Sequence, residues 1–277
     1  MEKIKWEGHT HTEFCRHGSG EKTALMIEKA IKAGFKQYSI TEHAPLPRGI
    51  IHDEEMEKDF VLLASEMEDY LSLIKTLKIE YQKHINILAG LEFDFFSRFK
   101  SYTIDMLKKY QHDLDEVILS IHFMEENGKF LCVDYSPENF ENGLLSCYET
   151  TDQLHLAYWN LVYDMVSTRF HSKIPIRIGH IALINKFVKL FPLQNPGQFS
   201  KSFFSNIMQQ VSKNSYSIDY DTAGLALKSC QAPLITPPVL EWCQELKIPL
   251  IYGSDAHSIK KVGQFYDHYK NLNTEKY

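Results

Sequence analysis

The 277-residue chain is long enough to bury a large core, and its 44% hydrophobic and 24% charged residues suit a globular protein. A formal charge of −6 argues against nucleic acid as a partner, because such binders carry a basic footprint. No apolar run approaches the roughly 20 residues that span a bilayer, and Met1–Trp6 enters a strand-like segment without a secretory apolar core, so a cytoplasmic protein is expected.

In chain order, β-type runs occur at Ile4–Gly8, Gln37–Ile40, Ile85–Leu91, Glu116–Ile121, Ile176–Gly179, Tyr216–Asp219 and Ile248–Gly253. Helical patterns fill most of the intervals. Ser19 is placed to cap a helix running to Ala33, with Gly34 as its stop. Phe60, Leu63, Met67, Leu71, Ile74 and Leu77 form an apolar stripe at helical spacing, as do Leu154, Ala157, Tyr158, Leu161 and Met165. Pro237-Pro238 opens a further helix, where an early proline removes no needed hydrogen bond. The alternation predicts an α/β fold with a parallel sheet or barrel. No repeat, low-complexity tract or Gly/Ser/Pro-rich linker divides the chain, so one unit over residues 1–277 is expected.

Potential metal ligands follow six of the seven runs: His9 and His11 with His17 beyond, Glu42-His43, Glu92, His122, His180, and Asp255 with His257. In α/β barrels the C-terminal strand ends converge on one mouth, so these residues can meet there. Residues i and i+2 of a strand share a face, which lets His9/His11 and Asp255/His257 each offer two ligands to one ion. An isolated H-x-H pair is ordinary, but two such pairs plus single ligands after three other strands point to metal binding. Imidazole and carboxylate suit zinc, manganese or iron. Even with Glu42 left aside, nine ligands exceed one tetrahedral ion, implying two or three ions with Glu92 or Asp255 as a bridge. The five cysteines form no C-x-x-C pair and read as reduced thiols. His52, His84, His112, His155, His171 and His268 read as solvated or structural, and the acidic Asp53–Glu57 as a solvated helix start.

Competing chemistries leave no trace. The residues six beyond each cysteine are Glu21, Glu138, Gln153, Thr236 and Pro249, so no Cys-x5-Arg phosphatase motif exists. There is no Walker-type phosphate loop and no G-x-S-x-G elbow. Metal-activated water is the nucleophile on offer.

The stretches His9-Thr10-His11-Thr12 with His17, Thr41-Glu42-His43, Gly90-Leu91-Glu92, Ser120-Ile121-His122-Phe123, Gly179-His180 and Ser254-Asp255-Ala256-His257 resemble, in order, the polymerase-and-histidinol-phosphatase (PHP) family. Phe14–Gly18, Glu42–Pro47 and Thr222–Leu225 resemble its histidinol-phosphate phosphatases. Asp221 departs from the asparagine expected before Thr-Ala-Gly. The resemblance implies a distorted (β/α)7 barrel with a trinuclear divalent metal centre at the C-terminal strand ends. His9, His11, Glu92 and Asp255 would hold one ion; Glu92, His122 and His180 a second; His17, His43 and His257 a third. It also implies hydrolysis of a small phosphorylated substrate, L-histidinol phosphate, with Glu92, Asp255 and His257 as the catalytic groups. Arg48 is the first candidate for a phosphate clamp, with Arg16, Arg177 and Lys186 as alternatives. Glu13, Phe14, Asp53 or Phe123 could recognise the amine and imidazole. The competing expectations are a PHP-fold phosphatase or phosphodiesterase for a phosphotyrosine protein or nucleotide, an amidohydrolase, and a metal-binding module without activity.

Overall fold

The computed structural model describes residues 4–47, 50 and 60–272; Arg48, His52 and Asp53–Glu57 lie outside the described residues. Seven parallel strands form one sheet: β1 (Trp6–Glu7), β2 (Gln37–His43), β3 (Asn86–Asp94), β4 (Glu116–Ser120), β7 (Ile176–Ile178), β8 (Ser217–Asp221) and β9 (Leu250–Gly253), in that spatial order. Past β9 the chain returns to β1. Gly8 N–H donates to the Tyr252 carbonyl at 2.9 Å, His11 N–H donates to Ala256 at 3.0 Å, and Thr10 bridges Ala256 in parallel. The sheet is therefore a nearly closed, distorted (β/α)7 barrel.

The two faces of these strands differ in chemistry. Tyr38 and Ile40, Ile87, Leu91 and Phe93, Val117 and Leu119, and Ile218 and Tyr220 are buried on the outer face. The register sets Ser39, Thr41 and His43 beside Gly90 and Glu92, then Glu116, Arg177 and Asp219 on the other face. Period-two alternation thus sorts mostly apolar residues outward and mostly polar ones into the barrel, with Leu88 and Ile118 as apolar members of the inner face.

The outer helices are α1 (Thr23–Lys32), α2 (Met67–Tyr81), α3 (Lys100–Tyr110), α4 (Thr151–Ser167), α5 (Ser205–Lys213), α6 (Pro237–Glu245) and α7 (Tyr266–Leu272). None is long and apolar enough to cross a membrane. Two expectations need correction. Ser19 does not cap α1; Glu13 does, accepting Thr23 N–H at 2.7 Å. The stripe that begins at Phe60 is not one helix: it breaks over residues 61–66, and α2 starts at Met67 and buries Met67, Tyr70, Ile74, Leu77 and Tyr81. Gly34 ends α1 in the left-handed region at φ 84°, as expected.

An antiparallel hairpin, β5 (Phe123–Glu126) and β6 (Lys129–Cys132), interrupts the alternation. Asn127 and Gly128 form its two-residue turn with φ of 51° and 76°, the left-handed pair that favours Asn-Gly.

Buried His155 on α4 carries an acid-stability prediction. Burial lowers its pKa from 6.5 to about 4, partly offset by Asp152. The unfolded chain therefore takes the proton first as pH falls. Stability present above about pH 6.5 drains away down to about pH 4, by roughly 3 kcal/mol in all. His155→Gln should flatten this loss; an unchanged difference in melting temperature between pH 7 and pH 5 would remove His155 as its source.

Candidate metal centre

The strand ends bring the predicted ligands together around Glu92. Its Oε2 lies 3.3 Å from His9 Nε2, 3.6 Å from His11 Nε2 and 3.2 Å from His43 Nδ1. Its Oε1 lies 2.9 Å from His180 Nε2 and 3.7 Å from His122 Nε2, and accepts Ser120 O–H at 2.5 Å. One carboxylate thus faces two sets of histidines. Gly179 makes room for it, since a Cβ there would sit 2.3 Å from Ser120 Oγ and 3.4 Å from Glu92 Oε1.

His9 and His11 share a face because Thr10 turns the other way, donating its hydroxyl to the Ser39 carbonyl at 2.6 Å. Asp255 approaches from the far end of the chain, with Oδ1 3.1 Å from His11 Nε2 and 3.9 Å from His9 Nε2. Its backbone is left-handed at φ 50°. Buried Glu7 secures that turn by accepting Ser254 N–H at 3.0 Å and Gly263 N–H at 2.9 Å. His257 stacks on His11 with ring centroids 4.0 Å apart, and its Nε2 is 2.9 Å from His17 Nε2.

Three carboxylates set the orientation of three of these imidazoles. Asp219 Oδ2 lies 2.7 Å from His9 Nδ1, Glu42 Oε1 3.3 Å from His11 Nδ1, and Asp94 Oδ1 2.9 Å from His122 Nδ1. Carboxylates accept, so the proton belongs on each Nδ1 and the Nε2 lone pair turns inward. There the lone pairs of His9 and His11 meet carboxylate oxygens, and that of His122 meets His180 Nε2 at 3.1 Å. Acceptors facing acceptors need a cation between them. His9 Nε2, His43 Nε2, Glu92 Oε2 and His180 Nδ1 are buried without a hydrogen-bond partner among the described residues. The donor set therefore fits divalent metal.

The electrostatics agree. Burial opposes the charged form of His11, but Asp255 and Glu42 outweigh it and lift its pKa to about 9. Burial likewise opposes His122, yet Asp94 and Glu92 raise it to about 10. The field that holds protons there also attracts metal. His43 and His257 are held well below the usual imidazole value, by burial first and then by His11.

Among the described residues, four groups each bring one donor atom per residue within 4.8 Å of the others: His9/His11/Asp255, His9/Glu92/His180, His43/Glu92/His122, and His11/Cys15/His43/His257. His17 joins the last through His257, and Cys15 Sγ lies 3.5 Å from His17 Nε2.

A cavity of about 320 Å³ opens above these groups, with His122, Asp255 and His257 in its floor. Lys186 and Lys261 stand on its wall, and Lys186 Nζ pairs with Asp134 Oδ2 at 2.7 Å. Arg177 and Arg16, two of the other proposed clamps, lie elsewhere. Arg177 is sealed inside the barrel, where its Nε is 2.8 Å from Asp219 Oδ1 and its Nη2 is 3.4 Å from Glu116 Oε2. Arg16 pairs with Glu66 at 2.7 Å outside this cavity. Arg48 and Asp53 fall outside the described residues. Glu13 is engaged as the α1 cap, Phe14 packs edge-on to Tyr70, and Phe123 is buried among Phe60 and Phe96. Asp221 serves its turn as an asparagine carbonyl would, accepting Ala223 N–H at 2.6 Å. Burial and then Asp255 raise its pKa to about 7.

Sequence reasoning missed Asp219, Asp94 and Lys261. The two aspartates had a signal, the alternation Ile-Asp-Tyr-Asp in β8 and Glu-Phe-Asp in β3, which marks one polar strand face. Lys261 had a weaker one, its place in the loop after the last strand.

Residues 7–223 match the PHP domain family, and residues 238–276 match the PHP-associated family. The histidinol-phosphatase of Bacillus subtilis is 34% identical over 263 residues, covering 95% of this chain and 97% of that protein. The crystal structure of a candidate histidinol phosphatase from Listeria monocytogenes superposes with a TM-score of 0.88 at 32% identity, covering 96% of this chain and all of that one. The histidinol phosphate phosphatase of Lactococcus lactis, solved with zinc, L-histidinol and phosphate, superposes at 0.69 and 17% identity, covering 99% and 94%. On a family match that spans most of its length, and on a relative 34% identical across nearly the whole chain, this chain belongs to the PHP domain family.

Proposed function

We propose that the protein is a metal-dependent phosphomonoesterase that hydrolyses L-histidinol phosphate to L-histidinol and phosphate in histidine biosynthesis. The observation that carries the chemistry is Glu92, whose two oxygens face separate histidine sets beneath an open cavity. The named substrate rests on the full-length likeness to the Bacillus subtilis histidinol-phosphatase. A cavity of about 320 Å³ suits a small phosphorylated amino alcohol.

We place three divalent ions, zinc, manganese or iron, at His9/His11/Glu92/Asp255, at Glu92/His122/His180, and at His17/His43/His257. Bound there, such ions supply positive charge for phosphoryl oxygens and lower the pKa of an attacking water. The chain's own residues do the rest. Glu92 keeps two ligand sets in one frame. Lys186 and Lys261 present positive charge on the cavity wall for the phosphate. Asp255 and His257 face the cavity and are placed to move a proton at the leaving oxygen. Residues 1–277 act as one unit in this reading, because Asp255 and His257 complete a site begun by His9 and His11. The cysteines found free, Cys15, Cys132, Cys147, Cys230 and Cys243, suit the cytoplasm.

The test is phosphate release from L-histidinol phosphate beside generic phosphomonoesters, diesters and a phosphotyrosine peptide, before and after chelation. Preference for histidinol phosphate, lost on chelation and restored by zinc or manganese, is expected. Equal or absent turnover of it by metal-replete protein would sink the substrate assignment and leave the fold standing.

A further inference from the structure

As the neutral ring that can bind a metal, His9 has two proton arrangements, and the residues beneath it decide between them. With the proton on Nδ1 it donates to Asp219 Oδ2 at 2.7 Å, and Nε2 is a free lone pair. With the proton on Nε2 it could instead donate to Glu92 Oε2, 3.3 Å away, closing the ligand position without any metal. Both partners are fully buried, so water cannot arbitrate.

The bias lies in the barrel interior. Asp219 is held by an ion pair from Oδ1 to Arg177 Nε at 2.8 Å. Arg177 is itself fixed on three other sides. Its Nη2 donates to the Gly8 carbonyl and lies 3.4 Å from Glu116 Oε2, and its guanidinium carbon sits 5.3 Å over the Trp6 ring. Gly8 must lack a side chain, because a Cβ would stand 2.8 Å from Arg177 Nη1 and 2.7 Å from the Tyr252 carbonyl. Gly253 similarly leaves space for His9, whose Cβ would be only 2.9 Å from an added methyl. With the Arg177 guanidinium beside one oxygen, the Asp219 carboxylate turns the other, an acceptor, to His9 Nδ1.

We propose that Asp219, braced by Arg177, is a positioning residue that holds His9 in its Nδ1–H tautomer and so keeps its Nε2 open to metal. This rests on the reading of His9 as a ligand. Asp219 touches neither cavity nor substrate and acts only through His9.

The experiment is Asp219→Asn in the full chain. The asparagine fills the same space but can present an N–H to His9 Nδ1, which drives the proton to Nε2. The expected result is folded protein whose zinc is drawn off by a competing chelator about 10–100-fold more readily than from wild type. kcat should fall with little change in KM. Wild-type zinc affinity in Asp219→Asn would overturn the proposal. So would a variant that loses zinc only in proportion to unfolded protein. Should that variant fail to fold, the wild-type protein answers directly. Long-range 1H–15N correlation of the 15N-histidine-labelled chain should give His9 as the Nδ1–H form, and an Nε2–H signal would equally overturn the proposal. Wild-type protein that takes up no zinc at all would instead remove His9 as a ligand, a failure of the site reading that the other outcomes do not mimic.

Discussion

Glu92→Gln should cut phosphate release from L-histidinol phosphate by about 10³-fold or more, the scale seen when a preorganised electrostatic group leaves a reacting centre. The substitution changes charge and one donor while keeping volume, so the barrel should still assemble. Its amide cannot serve both sides. With the NH₂ toward His9, His11 and His43 it places donors where a cation belongs, and turned the other way it opposes the Ser120 hydroxyl and His180. Glu92 is itself held well below the usual carboxylate range, because His9 and His122 outweigh the opposing effect of its burial. Elemental analysis of the purified variant should find less bound metal than in wild type. Turnover near that of wild type, with full metal content, would take Glu92 out of the centre.

Arg177→Met should instead strike stability. The methionine keeps much of the side-chain bulk but leaves Asp219 and Glu116 as buried carboxylates without their counter-charge. Breaking a buried pair from one side costs about 3–5 kcal/mol. For a chain of this size that corresponds to a melting temperature lower by on the order of 10 °C. A phosphate clamp would behave in the opposite way, raising KM while leaving thermal stability alone. Thermal melts of metal-free protein beside substrate titrations of the folded variant separate the two, and an unchanged melting temperature with a raised KM would restore Arg177 to substrate binding.

These two residues mark how far the sequence could be read. Glu92 was legible because a carboxylate that closes an apolar strand is a charge heading for burial, and such a charge needs a cation or a donor to meet it. Strand-end ligands of this kind marked six of the barrel strands, and the apolar runs located all seven. Arg177 was not legible, because an arginine within Ile-Arg-Ile looks like a surface cation until its partners on neighbouring strands are known. Pairing across a barrel depends on register, which no single run of residues encodes. Pro237 does open α6 as its local signal says, but the cap of α1 was missed for a related reason. The group that caps α1 is Glu13, 10 residues upstream of Thr23, while the local candidate Ser19 donates to Glu21. The hairpin at Asn127-Gly128 carried its own local signal and could have been found.

The seam between β1 and the turn beyond β9 has a consequence in time. His11 and Asp255 are separated by 244 residues of chain, yet they lie 3.1 Å apart. A ribosome adding about 5–20 residues per second needs roughly 12–50 s to make that stretch. Throughout that interval the first histidine pair has emerged without the aspartate and histidine that complete its pocket. Glu7 likewise waits for the Ser254 and Gly263 amides. Metal capture at the positions that Asp255 and His257 complete is therefore a late event in the life of the nascent chain, whereas Glu92, His122 and His180 have all emerged well before it. An ion at the seam between His11 and Asp255 thus rewards completed folding rather than guiding it.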